Sequence, residues 1–340
     1  MPLNEFIRRL WRGRRAVEQT AAPDPRGPRD IIVILDGTLS SLTPGRETNA
    51  GLTYHLLAES GDAHRAIRYE PGIQWTSWRA TRDVLEGRGI NRQIRRSYGY
   101  IASRYRPGDR IFLIGYSRGA YAVRSLAGLI DRVGLLRAEH ATVRAIRTAY
   151  HHYRAGGDSD AARAFIAAKC HTDTIIEAVA VWDTVKALGM RLPVIWRWSE
   201  RRHAFHNHIL GKATKRGFQA LALHETRVAY APVMWHCHRD WPGQMEQVWF
   251  RGSHGDIGAQ LNGFVAARPL ANIPLIWMLE RLAACGLDLP NDWRNRFSLN
   301  AQAPSVGTWR GFGWMFLARK ARRVGKDVSE SIHPSANDQA

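Results

Sequence analysis

A mostly parallel α/β sheet with helices on both faces is the fold class this 340-residue sequence predicts. Three observations carry the prediction. Short continuous apolar runs recur along the chain, helical patterns separate them, and several runs end abruptly in a polar or reactive residue. Runs of this kind belong to strands buried on both faces, and alternation with helices makes parallel pairing the economical architecture.

The first strand is Ile31-Ile32-Val33-Ile34-Leu35, which ends at Asp36-Gly37-Thr38. Thr48-Asn49 introduces a helix over residues 50–59, and a second strand is expected at 66–70. Gly87-Arg88-Gly89-Ile90 opens a helix reaching residue 104, with Ile94, Tyr98 and Ile101 on one face. Arg110-Ile111-Phe112-Leu113-Ile114 is the next strand, and a helical pattern runs from Ala120 to Val133. Residues 137–170 are helical and polar. A strand at 175–182 ends at Asp183-Thr184-Val185, and 186–212 is a loop rich in Trp, Arg and His. A helix is expected at 218–226, a strand at 247–250 ending in Gly252-Ser253-His254, and a last helix at 272–285. The expected units are a basic amphipathic segment and linker (1–30), a catalytic body (31–290), a basic aromatic extension (291–325) and a disordered tail (326–340).

Between the strand at 110 and its helix lies Gly115-Tyr116-Ser117-Arg118-Gly119. In a G-x-S-x-G turn the glycines admit a sharp strand-to-helix reversal that thrusts the serine out at the carboxyl end of the sheet. The following helix aims its N-terminal amides at the same point, where negative charge develops on a reacting carbonyl. A serine nucleophile needs a base and a carboxylate that orients the base. Ser117, Asp183 and His254 each follow an apolar strand, in the chain order that α/β-hydrolases use. Asp256 is an alternative acid, or a residue that orders the His254 loop through backbone amides. The oxyanion donors expected are the amides of Gly37 or Thr38 and of Arg118.

These segments resemble the family catalogued as domain of unknown function 2235, which includes the catalytic domains of type VI secretion phospholipase effectors of the first lipase class. The matching stretches are Leu35-Asp36-Gly37-Thr38, Thr48-Asn49, Gly87 to Ile90, Gly115 to Ala120, Val181 to Val185, Ala220 to Leu223, Trp249 to Gly258 and Pro274 to Met278. They run collinearly over residues 30–290. The resemblance implies an α/β-hydrolase fold and a serine esterase acting on lipid esters, with Ser117 as nucleophile and Asp183 and His254 as acid and base. The sequence departs from the family at His224, where an acidic residue is usual, and at Ala259-Gln260, where glycines are usual.

Other readings have weaker support. Asp36-Gly37-Thr38 is similar to an aspartyl-phosphate phosphatase motif, but the nucleophilic Asp that chemistry requires is replaced by Ile34. His203, His206, His208, His236 and His238 could ligate zinc, yet no recognisable ligand set completes them, so no metal or other cofactor is expected. The net charge of +19 favours phosphate-bearing surfaces. No motif points to specific nucleic-acid recognition. Leu3, Phe6, Ile7, Leu10 and Trp11 with their flanking arginines, and Trp309, Phe312, Trp314, Phe316 and Leu317 with theirs, would suit peripheral contact with a lipid surface. A non-catalytic binding protein on the same fold and a small-ester esterase or thioesterase are the alternatives. Neither a signal peptide nor a transmembrane run is present, so the expected compartment is the cytoplasm, with peripheral membrane association or signal-independent secretion as variants.

Overall fold

The computed structural model describes residues 27–60, 64–72, 88–185, 209–238, 241–310, 313 and 316–339. Residues 1–26 of the expected amphipathic segment and linker (1–30), the histidines at 203–208, most of the loop at 186–212, and Phe312 and Trp314 of the aromatic extension lie outside them.

Seven strands form one sheet. They are β1 (Asp30–Leu35), β2 (Arg65–Glu70), β3 (Arg110–Tyr116), β4 (Ile176–Trp182), β5 (Arg216–Ala222), β6 (Gln244–Phe250) and β7 (Glu330–Ile332), in the spatial order β2-β1-β3-β4-β5-β6-β7. Every neighbouring pair is parallel. The chain reverses its direction of growth between β1 and β3, the position where open α/β sheets leave a crevice for ligands.

Both faces are covered because strand side chains alternate. Ile31, Val33 and Leu35 of β1 pack with Ile94 and Tyr98 of α2 (Arg88–Ala102) and Leu126 and Ile130 of α3 (Ser117–Val133). Ile32 and Ile34 face the other way, onto Leu56 of α1 (Asn49–Glu59) and Leu275, Met278 and Leu282 of the C-terminal α-helix (Arg268–Ala284). Two polar helices, α4 (Val143–Arg154) and α5 (Asp160–Lys169), precede β4, and a five-residue helix, α6 (His254–Gly258), follows β6. The C-terminal helix is therefore α7.

Two expectations fail here. Residues 218–226 were expected to be helical, but Phe218 to Ala222 belong to β5. Ala and Leu suit a helix by propensity, but the slot between β4 and β6 needs a buried strand, and tertiary context prevails. Buried Gln219 is accommodated there by hydrogen bonds with Arg124, Thr184 and the Val233 carbonyl. Residues 326–340 were expected to be a disordered tail, but Glu330–Ile332 forms β7. Glu330–Ile332 pairs with Gln247 to Trp249, covering the edge of β6. Glu330 accepts the Trp249 indole N–H at 2.8 Å, and His333 stacks on Phe250.

Candidate functional site

The G-x-S-x-G turn leaves no loop between strand and helix: Tyr116 ends β3 and Ser117 begins α3. Ser117 sits at φ 56°, a left-handed conformation that costs a non-glycine residue about 1–3 kcal/mol. Packing enforces it. A Cβ on Gly119 would lie 2.0 Å from the Leu35 carbonyl oxygen, so only glycine lets α3 approach the end of β1. Asp183 follows β4 directly and is also left-handed, at φ 38°. His254 opens α6, whose N-terminus is held by a capping box: Ser253 and Asp256 bond reciprocally to each other's backbone amides.

Three strand ends thus bring three distant residues together. His254 Nε2 lies 2.8 Å from Ser117 Oγ, and His254 Nδ1 lies 2.5 Å from Asp183 Oδ2. Asp183 and His254 are buried, and Ser117 is only 6% exposed. The imidazole is walled by Tyr116, stacked at 5.0 Å, and by Tyr230, tilted at 4.7 Å. Tyr116 Oη donates to the His254 carbonyl at 3.1 Å, and Glu225 accepts the His254 amide at 3.1 Å.

Burial pushes the Asp183 carboxyl up, but Arg322 and His254 together outweigh it and hold the group well below the carboxylate range. Arg322 forks onto Asp183, Nη1 to Oδ1 at 2.5 Å and Nη2 to Oδ2 at 2.9 Å. Burial lowers the pKa of His254 below the ordinary imidazole value, against the opposing pull of Asp183 and Glu225. A neutral imidazole between a hydroxyl and an ionised carboxylate can accept a proton on Nε2 while Nδ1–H donates to the acid.

Asp256, the alternative acid, is elsewhere. Its Oδ2 accepts from the Ser253 amide, Ser253 Oγ and Ser305 Oγ, and its Oδ1 from the Val306 amide. It organises the loop that presents His254 and does not bond the ring.

The turn after β1 abuts the serine, since a Cβ on Gly37 would lie 3.5 Å from Ser117 Cβ. The Gly37 amide itself donates to Asp36 Oδ1 at 2.6 Å. Asp36 Oδ2 accepts from Thr48 Oγ1 and Tyr69 Oη, which ties the turn to α1 and β2. Thr38 follows in the same turn, and its buried Oγ1 has no hydrogen-bond partner among the described residues. Arg118, the residue after Ser117, has a half-buried side chain whose pKa burial lowers.

Sequence reasoning missed Arg322, Glu225 and Tyr230. Glu225 fell in the stretch read as a helix, and Arg322 was one arginine among many in a basic segment; no local signal separates it from its neighbours. Among the described residues no group of three or more His, Cys, Asp or Glu side chains could hold a metal ion.

Fold and site geometry define an α/β-hydrolase-like architecture. The family described as T6SS, phospholipase effector Tle1-like, catalytic domain matches residues 29–281, and the chain belongs to it. A curated Saccharomyces cerevisiae protein, uncharacterized protein YEL023C, is 32% identical over 123 residues, covering 32% of this chain and only 18% of that protein. Among solved structures, the Tle1 effector bound to the VgrG spike of the type 6 secretion system is 17% identical, with a TM-score of 0.38, covering 68% of this chain and 51% of that one. An uncharacterized Pseudomonas aeruginosa protein is 14% identical, with a TM-score of 0.45, covering 82% and 52%. The chain thus spans about half the length of each solved relative.

Proposed function

We propose that this protein is a serine hydrolase that cleaves carboxylic esters of phospholipids. The observation that carries the reading is a buried imidazole within hydrogen-bond reach of both a strand-end serine and a buried, ionised aspartate. Membership of the Tle1-like phospholipase effector family supports a lipid ester as substrate.

Ser117 Oγ attacks the ester carbonyl carbon as its proton passes to His254 Nε2. Asp183 stabilises the imidazolium that results. The oxyanion of the tetrahedral intermediate takes hydrogen bonds from the amides of Arg118 and Thr38; the Gly37 amide is committed to Asp36. Collapse breaks the bond to the alcohol, which takes the proton from Nε2, leaving the acyl group on Ser117. Water, deprotonated by His254, then releases the fatty acid. No step calls for a metal or an organic cofactor.

The C-terminal extension suits work at a lipid surface. Trp309 is 62% and Leu317 81% exposed, and Arg319 lies 3.9 Å from the Trp309 ring centroid. Aromatic residues beside cations favour the headgroup region of a bilayer. No helix among the described residues is long and apolar enough to cross a membrane.

The test is labelling by a fluorophosphonate probe together with hydrolysis of defined phospholipid vesicles. The wild type is expected to be labelled and to release fatty acid, and Ser117→Ala to do neither. Equal labelling of the two proteins removes the nucleophile.

A further inference from the structure

We infer that Arg322 is a positioning residue for the Ser117–His254–Asp183 array: it locks the Asp183 carboxylate in the orientation that receives His254 Nδ1–H, and its charge sets the acidity at which the enzyme loses its base. The inference rests on the hydrolase reading above.

The geometry is that of a built clamp. The Arg322 side chain is 4% exposed and that of Asp183 fully buried. Nη1 is shared between Asp183 Oδ1, at 2.5 Å, and the Ala222 carbonyl, at 2.9 Å. Nη2 is shared between Asp183 Oδ2, at 2.9 Å, and the Tyr230 carbonyl, at 2.6 Å. A two-point fork fixes both the position and the plane of a carboxylate, which a single contact does not. Among the described residues the other bonds to the Asp183 carboxylate are one to each oxygen, from the Ala222 amide to Oδ1 and from His254 to Oδ2. By also holding the Tyr230 carbonyl, the same guanidinium steadies the turn whose ring packs on His254. Arg322 lies beyond residues 29–281, so it reaches the site from outside the span that the family match covers.

Charge gives a signature that packing alone would not. With Arg322 present, the Asp183–Arg322 pair is neutral, and protonating His254 adds an uncompensated positive charge. Without it, the imidazolium would face an unshared carboxylate and form more readily. Among the described residues the other charged and polar groups around the ring are Glu225 with its partner Arg227, Tyr116, Tyr230 and Ser117. Asp36 acts electrostatically on Tyr116, and Tyr230 on Arg118.

The experiment is a profile of kcat and kcat/KM against pH for the full chain with a soluble p-nitrophenyl ester, comparing wild type, Arg322→Met, Arg322→Lys and Ser117→Ala. Arg322→Met is expected to lower kcat by roughly tenfold to a hundredfold with little change in KM, the scale of a small misplacement of a catalytic group. Its acid limb should move up by about one pH unit, the lower end of what removing one neighbouring charge produces. Arg322→Lys should return the limb to the wild-type position but not restore kcat, because it keeps the charge and loses the fork. A wild-type kcat and limb in Arg322→Met overturn the inference, as does loss of activity in both variants with the limb unmoved, which marks a purely structural contact. If Arg322→Met does not fold, Arg322→Lys decides: reduced kcat with an unshifted limb supports the clamp, and wild-type kcat overturns it. Ser117→Ala separates the two failures. Turnover surviving in it would bring down the hydrolase reading and this inference together, whereas its loss beside an unaffected Arg322→Met removes the inference alone.

Discussion

Asp36 and Asp183 occupy equivalent places in the sheet, and their surroundings give them opposite characters. Each directly follows a buried parallel strand, and neither is more than 1% exposed. The donors to Asp36 among the described residues are neutral: the Gly37 amide, Thr48, Tyr69 and Ser40. Burial prevails there and raises its pKa. Asp183 suffers the same burial, but a guanidinium and an imidazole overcome it. At Asp36 the hydrogen bonds from neutral groups do not offset burial; at Asp183 the opposing charge does. Asp36 accordingly fastens the turn that lies against Ser117, while Asp183 is equipped to carry negative charge beside the His254 imidazole.

The most forceful way to break this contrast is Asp183→Asn. It is expected to lower kcat/KM by about 10³–10⁴-fold, since an amide cannot fix the imidazole tautomer as a carboxylate does. It should also cost about 3–5 kcal/mol of stability, because Arg322 is left buried and unpaired. Ester kinetics and urea unfolding of the same protein check both. Asp36→Asn is expected to cost about 1–3 kcal/mol, the penalty for confronting converging donors with an amide N–H₂.

The two aspartates should also differ in how stability responds to pH. The folded pKa of Asp183 is depressed, so its contribution is complete above the unfolded value of 3.8 and disappears as the pH falls toward the folded one. The folded pKa of Asp36 is raised, so its contribution is greatest at low pH and declines as the pH rises through the folded value. Denaturant midpoints measured against pH should therefore show the deficit of Asp183→Asn growing with pH and that of Asp36→Asn shrinking. Parallel curves would contradict the assignment. In the kinetics, His254 must be neutral to act as base, and burial depresses its pKa, so the acid limb of kcat/KM should fall below pH 6.5.

Asp256 extends the comparison to a third buried acid. Asp256→Asn weakens the support of α6 and should cost about 1–3 kcal/mol, while kcat falls less than it does in Asp183→Asn. Comparing the two mutants' rates at a temperature where both are folded checks this. The smallest effect expected is in Ser117→Gly, which relieves the left-handed strain and should raise stability by roughly 0.5 kcal/mol while turnover is lost. Thermal unfolding against Ser117→Ala measures it.

Much of the molecule was legible in the chain. Uninterrupted apolar runs announce parallel strands because both faces of such a strand must be buried, and that logic located β1, β3, β4 and β6. Gly115 and Gly119 around a serine announced the turn, because only glycine fits where α3 closes on β1. The order of Ser117, Asp183 and His254 followed from each being the polar end of a strand. The sequence by itself determined these points because they depend on local pattern and on a steric rule.

Tertiary structure decided the rest. β5 reads as a helix by composition and became a strand because its neighbours leave a strand-shaped gap. Residues 330–332 read as a polar tail and became β7 because an open sheet edge offered backbone partners. Asp183 was the expected acid and Asp256 its alternative, and only three-dimensional packing placed Asp256 against Ser253 and Val306 and Asp183 against His254. Arg322 meets Asp183 across 139 residues. The energy of such a pair depends on distance and burial, and neither quantity is written in the local order of amino acids.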